Sequence, residues 1–246
     1  MSAAGVHFIW KEKVTRCDAP STGAVTLTLT SGATLAVSDV LVGAGRQSNT
    51  TDLNLAAAGL TPGKRGLIKV DAHYRTEVPH IFAAGDVIGA PALAATGMEQ
   101  ARMAMCVACE LDYKDVVAPI LPTGIYTIPE ASMAGETEES LKAKGIAYVV
   151  GRTRYMDNAR GQIIGDENGL LKLIFRHEDM RLLGVHVVGE QATELVHIGL
   201  IAMMAEAGAE ILNRTCFNYP TLGDLYKYAT YEAMLKRDGL LADDNK

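Results

Sequence analysis

The stretch Thr76-Glu-Val-Pro-His-Ile-Phe-Ala-Ala-Gly-Asp-Val-Ile-Gly89 decides how the rest of the chain is read. Ile81 to Ala84 is an apolar run of the length expected for a short strand buried on both faces. The run stops at Gly85, a single carboxylate follows at Asp86, and the next stretch is Ala-rich and helical in character. A carboxylate just past the carboxyl end of a strand, close to a helix start, is where open α/β sheets hold ligands. Gly85 lets the backbone come close to a ligand, and Asp86 can accept hydrogen bonds from sugar-like hydroxyls. An isolated Gly-Asp pair reads first as a turn; the ligand reading rests on the whole stretch.

Upstream, Gly23 to Thr30 alternates, with Val25, Leu27 and Leu29 on one face and three threonines on the other, which predicts a half-buried strand. Ser31-Gly32 is a turn signal, and Ala33 to Val37 returns as the second strand of a hairpin. Gly5 to Val14 reads as an earlier strand. Asp39 to Val42 is short and apolar and runs into Gly43-Ala44-Gly45-Arg46, the pattern of a strand ending in a glycine-rich turn. Leu53 to Leu60 reads as a short helix or loop, Thr61-Pro62-Gly63 as a turn, and Gly66 to Val70 as extended. Downstream, Pro91 to Ala95 enters a long helix whose first N–H groups have no intrahelical partner and form its positive end.

The totals set outer bounds. The chain has 246 residues, 48% apolar and 21% charged, enough for one or two globular domains with a proper core. A formal net charge of −6 argues against nucleic acid or an anionic membrane surface as partner. No uninterrupted apolar run reaches the length of a membrane span, and Met1-Ser-Ala-Ala-Gly lacks the basic-then-apolar pattern of a secretory signal, so a cytoplasmic location is the default. Four cysteines do not make a disulfide scaffold. Cys106 and Cys109 form a Cys-x-x-Cys inside the helical stretch Met98 to Leu111, not at a helix N-terminus where a redox pair gains its low pKa. With no second cysteine pair to complete a zinc site, they read as small buried residues of the helix.

A change of character around Asp115 to Leu121 marks a domain boundary ahead of Pro122. Thr137 is an N-cap for a helix through Lys144, with Gly145 as its stop. Ala147 to Thr153 is a strand. Leu170 to Arg176 and Arg181 to Val188 form a hairpin around His177 to Met180, with Leu171, Leu173 and Phe175 on one face. Ala192 to Ala207 is a mostly apolar helix with Glu194 and His197 one turn apart; His197 reads first as an ordinary helix histidine. In Cys216-Phe-Asn-Tyr-Pro-Thr-Leu-Gly-Asp224, Thr221 and Asp224 fit a capping box at the start of a helix running to about Met234, and Tyr219 reads as a boundary aromatic.

These segments together resemble the flavoprotein pyridine nucleotide-disulfide oxidoreductases. The stretch from Thr76 to Gly89 resembles that family's second FAD-binding motif, and Asp39 to Arg46 resembles the segment that returns the chain from the NAD-binding to the FAD-binding domain. Pro122 to Glu130 with Gly135-x-Thr137-Glu138 resembles the opening of the family's interface domain. The resemblance covers about Val25 to Lys236. It implies an α+β C-terminal interface (dimerisation) domain preceded by partial α/β Rossmann-like FAD/NAD-binding segments. The boundaries it implies are 1–45 for the end of the NAD(P)-binding domain, 46–118 for the second half of the FAD-binding domain, and 119–246 for the interface domain.

The resemblance also implies roles. Gly85 and Asp86 would hold the ribityl chain of FAD, and the backbone N–H groups of Leu93, Ala94 and Ala95 would lie under the oxygen edge of the flavin ring. In the family's disulfide reductases a His just before the Pro-Thr, with a Glu three residues beyond that Thr, serves as thiol acid–base from the partner subunit. Here those places hold Tyr219 and Asp224, the candidate catalytic pair. Tyrosine, with a reference pKa near 10, is a poor thiol base at neutral pH. Tyr at that position is shared by a transhydrogenase branch and by mercuric reductases. Phe217 to Thr221 and Pro122 to Glu130 resemble the former, and no cysteine follows Cys216. The implied activity is hydride movement between NADPH and NAD through FAD, by a homodimer joined through residues 122–234. Alternatives are a dihydrolipoamide dehydrogenase-like or mercuric reductase-like enzyme, or a stand-alone dimerisation module. No Gly-x-Gly-x-x-Gly fingerprint occurs in the chain, whereas family members have two. The expectation is therefore a C-terminal fragment that binds FAD weakly or not at all and is inactive alone.

Overall fold

The structure, a computed structural model, describes residues 2, 5–114 and 116–242. Asp115, at the head of the boundary segment 115–121, lies outside the described residues, as do Met1, Ala3 and Ala4. The chain divides into two compact units, one up to Gln47 and one from Ser48 onward.

The first unit is a three-stranded antiparallel sheet of β1 (Val14–Asp18), β2 (Val25–Leu29) and β3 (Thr34–Val37), with β2 in the middle. The β2–β3 hairpin forms as expected: Leu27 faces Leu35, Thr28 faces Thr34, and Gly32 takes a positive φ in the turn. Three expectations need correction. The first strand is Val14–Asp18 rather than Gly5 to Val14, because pairing with β2 selects it: Cys17 faces Leu27, and the Thr15 hydroxyl donates to Thr28 O at 3.1 Å. The faces of β2 are not cleanly divided. Thr26 and Thr28 are as half-buried as Val25 and Leu27, only Leu29 is buried, and the neighbouring β1 is exposed throughout. Asp39 to Val42 forms no strand; nothing among the described residues pairs with it, and Leu41 is 97% exposed.

The second unit opens with short 3-10 turns at Thr51–Leu53, Leu55–Ala58, Lys64–Gly66 and Gly85–Ile88. The run Ile81 to Ala84 is half-buried and makes only one bridge, between Arg75 and Phe82, instead of a strand buried on both faces. Its partner is the segment just before it: Thr76 N–H donates to Ile81 O at 2.9 Å and Ala83 N–H to Tyr74 O at 3.0 Å. The Arg75 guanidinium lies 5.4 Å from the Phe82 ring centre. Helix α1 (Ala94–Ala108) follows.

The remainder is a five-stranded antiparallel sheet of β4 (Thr123–Ile125), β5 (Ala131–Gly135), β6 (Tyr148–Arg154), β7 (Leu170–Arg176) and β8 (Leu182–Val188), in the order β4-β5-β8-β7-β6. Between these strands lie α2 (Glu138–Lys144) and α3 (Ala159–Ile164); after them come α4 (Ala192–Met204), α5 (Ala209–Arg214) and α6 (Leu225–Arg237). Period-two alternation puts Leu171, Leu173 and Phe175 on one face, all fully buried. They share a core with Val185 and Val187, with Leu195 and Val196 of α4, and with Leu225, Tyr226, Ala229 and Ala233 of α6. Val150 and Ile174 point the other way and meet Leu141 of α2. α2 is capped as its sequence predicts: Thr137 and Ser140 form a reciprocal capping box, and Gly145 closes the helix in the left-handed region. The Tyr226 hydroxyl donates to Leu195 O at 2.7 Å and accepts from Gly199 N–H at 3.1 Å, pinning α6 to α4.

Candidate cofactor site

α1 begins at Ala94. Leu93 is extended and carries no side-chain cap, and the first helical bond runs from Gly97 N–H to Leu93 O at 2.9 Å. The N–H groups of Ala94, Ala95 and Thr96 therefore have no intrahelical acceptor and form the positive end of a 15-residue helix. The buried face of α1 is Thr96, Gln100, Met103 and Ala104, an i, i+4, i+7, i+8 stripe.

The Gly85–Asp86 turn packs against this helix. Gly85 has φ +81°, a conformation that glycine adopts without penalty. Its N–H donates to the Gln100 side-chain oxygen at 2.8 Å. A Cβ on Gly97 would lie 3.0 Å from Gly85 Cα, so two glycines bring turn and helix together. Asp86 is exposed at the first turn of Gly85–Ile88, and Gly89 N–H closes the turn onto Asp86 O at 3.2 Å. The structure thus brings together the four elements expected of the site: Gly85, Asp86, the strand-like run before them and the start of α1.

Leu93, Ala94 and Ala95 line one wall of a cleft of about 240 Å³. The opposite walls come from the interface segment: Pro122, Gly124, Tyr126 and Ser132, and Thr193, Glu194 and His197 of α4. His197, an ordinary helix residue by sequence alone, lies on the cleft. α4 has no cap of its own, since Gln191 is left-handed and makes no capping bond. Glu130 supplies it from the strand side, one carboxylate oxygen accepting Thr193 N–H at 3.1 Å and Thr193 Oγ1–H at 2.8 Å. Gln100, Gly97 and Glu130 were not singled out from the sequence as site-shaping residues. Gln100 had a signal: it is a polar residue on an otherwise buried helical stripe.

Tyr219 and Asp224 sit apart from the Asp86 turn in sequence and differ from each other in setting. Tyr219 is 74% exposed, whereas Asp224 is buried. The capping box expected of Thr221 and Asp224 does not form. Leu222–Asp224 is a 3-10 turn, the Thr221 hydroxyl donates back to Asn218 O at 2.6 Å, and α6 starts only at Leu225 and runs on to Arg237. The Thr221 side chain makes no capping bond; its donation to Asn218 O is a local backbone bond common for Ser and Thr. The cysteine expectation is corrected in part: Cys106 lies in the last turn of α1 and is half-buried, but Cys109 is the C-cap and is exposed; both are free.

Among the described residues, no helix is long and apolar enough to cross a membrane. Residues 1–104 match the family model described as pyridine nucleotide-disulphide oxidoreductase, and residues 121–230 match the model for that family's dimerisation domain. A soluble pyridine nucleotide transhydrogenase of Mycobacterium bovis strain BCG is 47% identical over 235 residues, 96% of this chain and 50% of that protein. One from Marinobacter nauticus is 45% identical over 213 residues, 85% of this chain and 46% of that protein. The chain thus spans about half the length of the curated relatives it matches. Among solved structures, LpdA of Mycobacterium tuberculosis superposes with a TM-score of 0.84 at 26% identity, covering 94% of this chain and 50% of that one. The HOCl-induced flavoprotein disulfide reductase RclA of Escherichia coli gives 0.79 at 26% identity, over 87% of this chain and 50% of that one. With the sheet topology, the Gly85–Asp86 turn and two family models in agreement, the chain belongs to the pyridine nucleotide-disulphide oxidoreductase family.

Proposed function

We propose that this chain is the C-terminal part of an FAD-dependent transhydrogenase that moves hydride between NADPH and NAD, acting as a homodimer in the cytoplasm. The observation that carries the reading is the joint geometry of Asp86 and α1: an exposed carboxylate on a glycine turn, held by Gln100 against a helix whose first N–H groups have no intrahelical acceptor and whose first residues line a cleft. These residues fit FAD. Asp86 would accept hydrogen bonds from the ribityl hydroxyls, the Gly85–Gly97 contact keeps its turn beside the start of α1, and the N–H groups of Ala94 and Ala95 would face an electron-rich ring edge. FAD when bound supplies the redox chemistry, and the protein supplies position and electrostatics. The naming of the most similar relatives as soluble pyridine nucleotide transhydrogenases supports the reaction.

Tyr219 favours this reading over a dihydrolipoamide dehydrogenase-like reductase, whose thiol base at this place is a His. A phenol with a reference pKa near 10 does not serve as a thiol base at neutral pH, and hydride exchange between nicotinamides requires none. Tyr219 and Asp224 are proposed to face the partner subunit from residues 122–234, with 1–45, 46–118 and 119–246 as the NAD(P)-domain, FAD-domain and interface segments. Alone, without a Gly-x-Gly-x-x-Gly turn to hold the pyrophosphate, the chain would bind FAD weakly or not at all and would not turn over.

The test combines this chain with a polypeptide carrying the remaining half of a transhydrogenase relative. Transfer from NADPH to an NAD analogue is then compared with NADPH-dependent reduction of lipoamide. Transfer with no disulfide reduction is expected. Reduction of the disulfide alone would move the protein to the reductase branch.

A further inference from the structure

Gln100 is the one amide on the buried stripe of α1, between Thr96 and Met103, and it is only 4% exposed. Polar side chains on such a stripe are retained where they satisfy a buried partner. Its partner is the Gly85 N–H, at 2.8 Å from the side-chain oxygen. The N–H can only donate, so the amide oxygen faces it. Gly85 stands at φ +81°, where no side chain would settle easily, and Gly97 brings the two backbones to near contact. A short hydrogen bond thus joins the turn carrying Asp86 to the helix carrying Ala94 and Ala95.

We infer that Gln100 is a positioning residue of the cofactor site: by accepting the Gly85 N–H it fixes where Asp86 stands relative to the first turn of α1. The ligand that would sense this is one with a polyhydroxyl chain joined to an electron-rich ring edge, which rests on the FAD reading above. Gln100 is buried and would act on such a ligand through Gly85 rather than by touching it.

Two variants of nearly equal shape separate position from stability. Gln100→Met fills the same space with no strong acceptor, and Gln100→Glu keeps an acceptor oxygen at the same reach in either protonation state. Amide hydrogen exchange is measured on the chain without ligand, and FAD binding on the same samples by flavin fluorescence. In Gln100→Met the Gly85 amide is expected to exchange at least tenfold faster while Met103 and Ala104 keep their rates, and Gln100→Glu is expected to restore protection. Unchanged Gly85 exchange, a parallel rise across α1, or failure of Gln100→Glu to restore it would overturn the inference. FAD affinity is expected to fall at least tenfold in Gln100→Met and to recover in Gln100→Glu; equal affinity in all three would also overturn it. Because this chain alone is expected to bind FAD weakly or not at all, FAD binding is read with the remaining half of a transhydrogenase relative added; a parent sample that then binds no FAD would refute the FAD reading, and the exchange rates would decide the role of Gln100 alone.

Discussion

Replacing Glu130 by Ala removes the cap of a helix that has no other. Thr193 is the second residue of α4, so its N–H has no intrahelical acceptor, and the carboxylate of Glu130 takes both that N–H and the Thr193 hydroxyl. Loss of an N-cap costs about 1 kcal/mol, with a range of roughly 0.5–2, and loss of a carboxylate at a helix N-terminus adds about 0.3–1. The sum is about 2 kcal/mol for Glu130→Ala. Glu130→Gln keeps an acceptor oxygen and loses only the charge, for about 0.5 kcal/mol. For a protein of this size each kcal/mol moves Tm by about 2–4 °C, so the expected losses are about 4–8 °C and about 1–2 °C. Thermal and urea unfolding followed by circular dichroism measure both. An Ala variant within about 0.5 kcal/mol of the parent would refute the capping argument. A Gln variant as unstable as Ala would show that charge, rather than the acceptor, is what Glu130 contributes.

Gly151 of β6 faces α6 so closely that a Cβ would lie 1.8 Å from Ala229 O. A backbone carbonyl cannot swing aside, so Gly151→Ala is expected to cost about 3 kcal/mol or more, at the upper end of overpacking, read as a lower urea midpoint or loss of soluble protein. Burial holds the His186 imidazole pKa below its ordinary value, against a smaller opposing effect of its hydrogen bond to Glu136 O. The folded state therefore takes up this proton later than the unfolded chain, and stability contributed by neutral His186 is full above about pH 6.5 and lost as pH falls through the folded pKa. His186→Gln keeps a donor for Glu136 O and is expected to flatten the drop in urea midpoint between pH 7 and pH 5.

The interface segment was legible because its signals are local and agree with its packing. Thr137 and Gly145 bracket α2 by cap chemistry alone, and the alternation of Leu171, Leu173 and Phe175 marks the core face before any partner is known. The N-terminal stretches were less legible because their readings depended on neighbours. Asp39 to Val42 and Ile81 to Ala84 have strand composition, but strand formation needs an adjacent strand in register, and within the described residues the first finds none and the second only a tight loop. The Thr221–Asp224 capping box failed for a different reason: the chain after Thr221 takes a 3-10 turn, and α6 starts only at Leu225, so Asp224 is not the third residue of an α-helix. At the site, Gly85 and Asp86 stood out in the sequence. Glu130 and His197 did not, because their roles arise from contacts across more than 60 residues and from a cleft that only the fold assembles.

The claim that Asp86 and the start of α1 form a flavin site is tested most directly by titrating FAD with this chain and with Asp86→Ala, each combined with the remaining half of a transhydrogenase relative, following the flavin absorbance between 300 and 550 nm. The account predicts a saturable change for the combination with the parent chain, and at least a tenfold weaker response with Asp86→Ala. A flavin spectrum that the parent combination leaves untouched, or equal binding by the two, would contradict it.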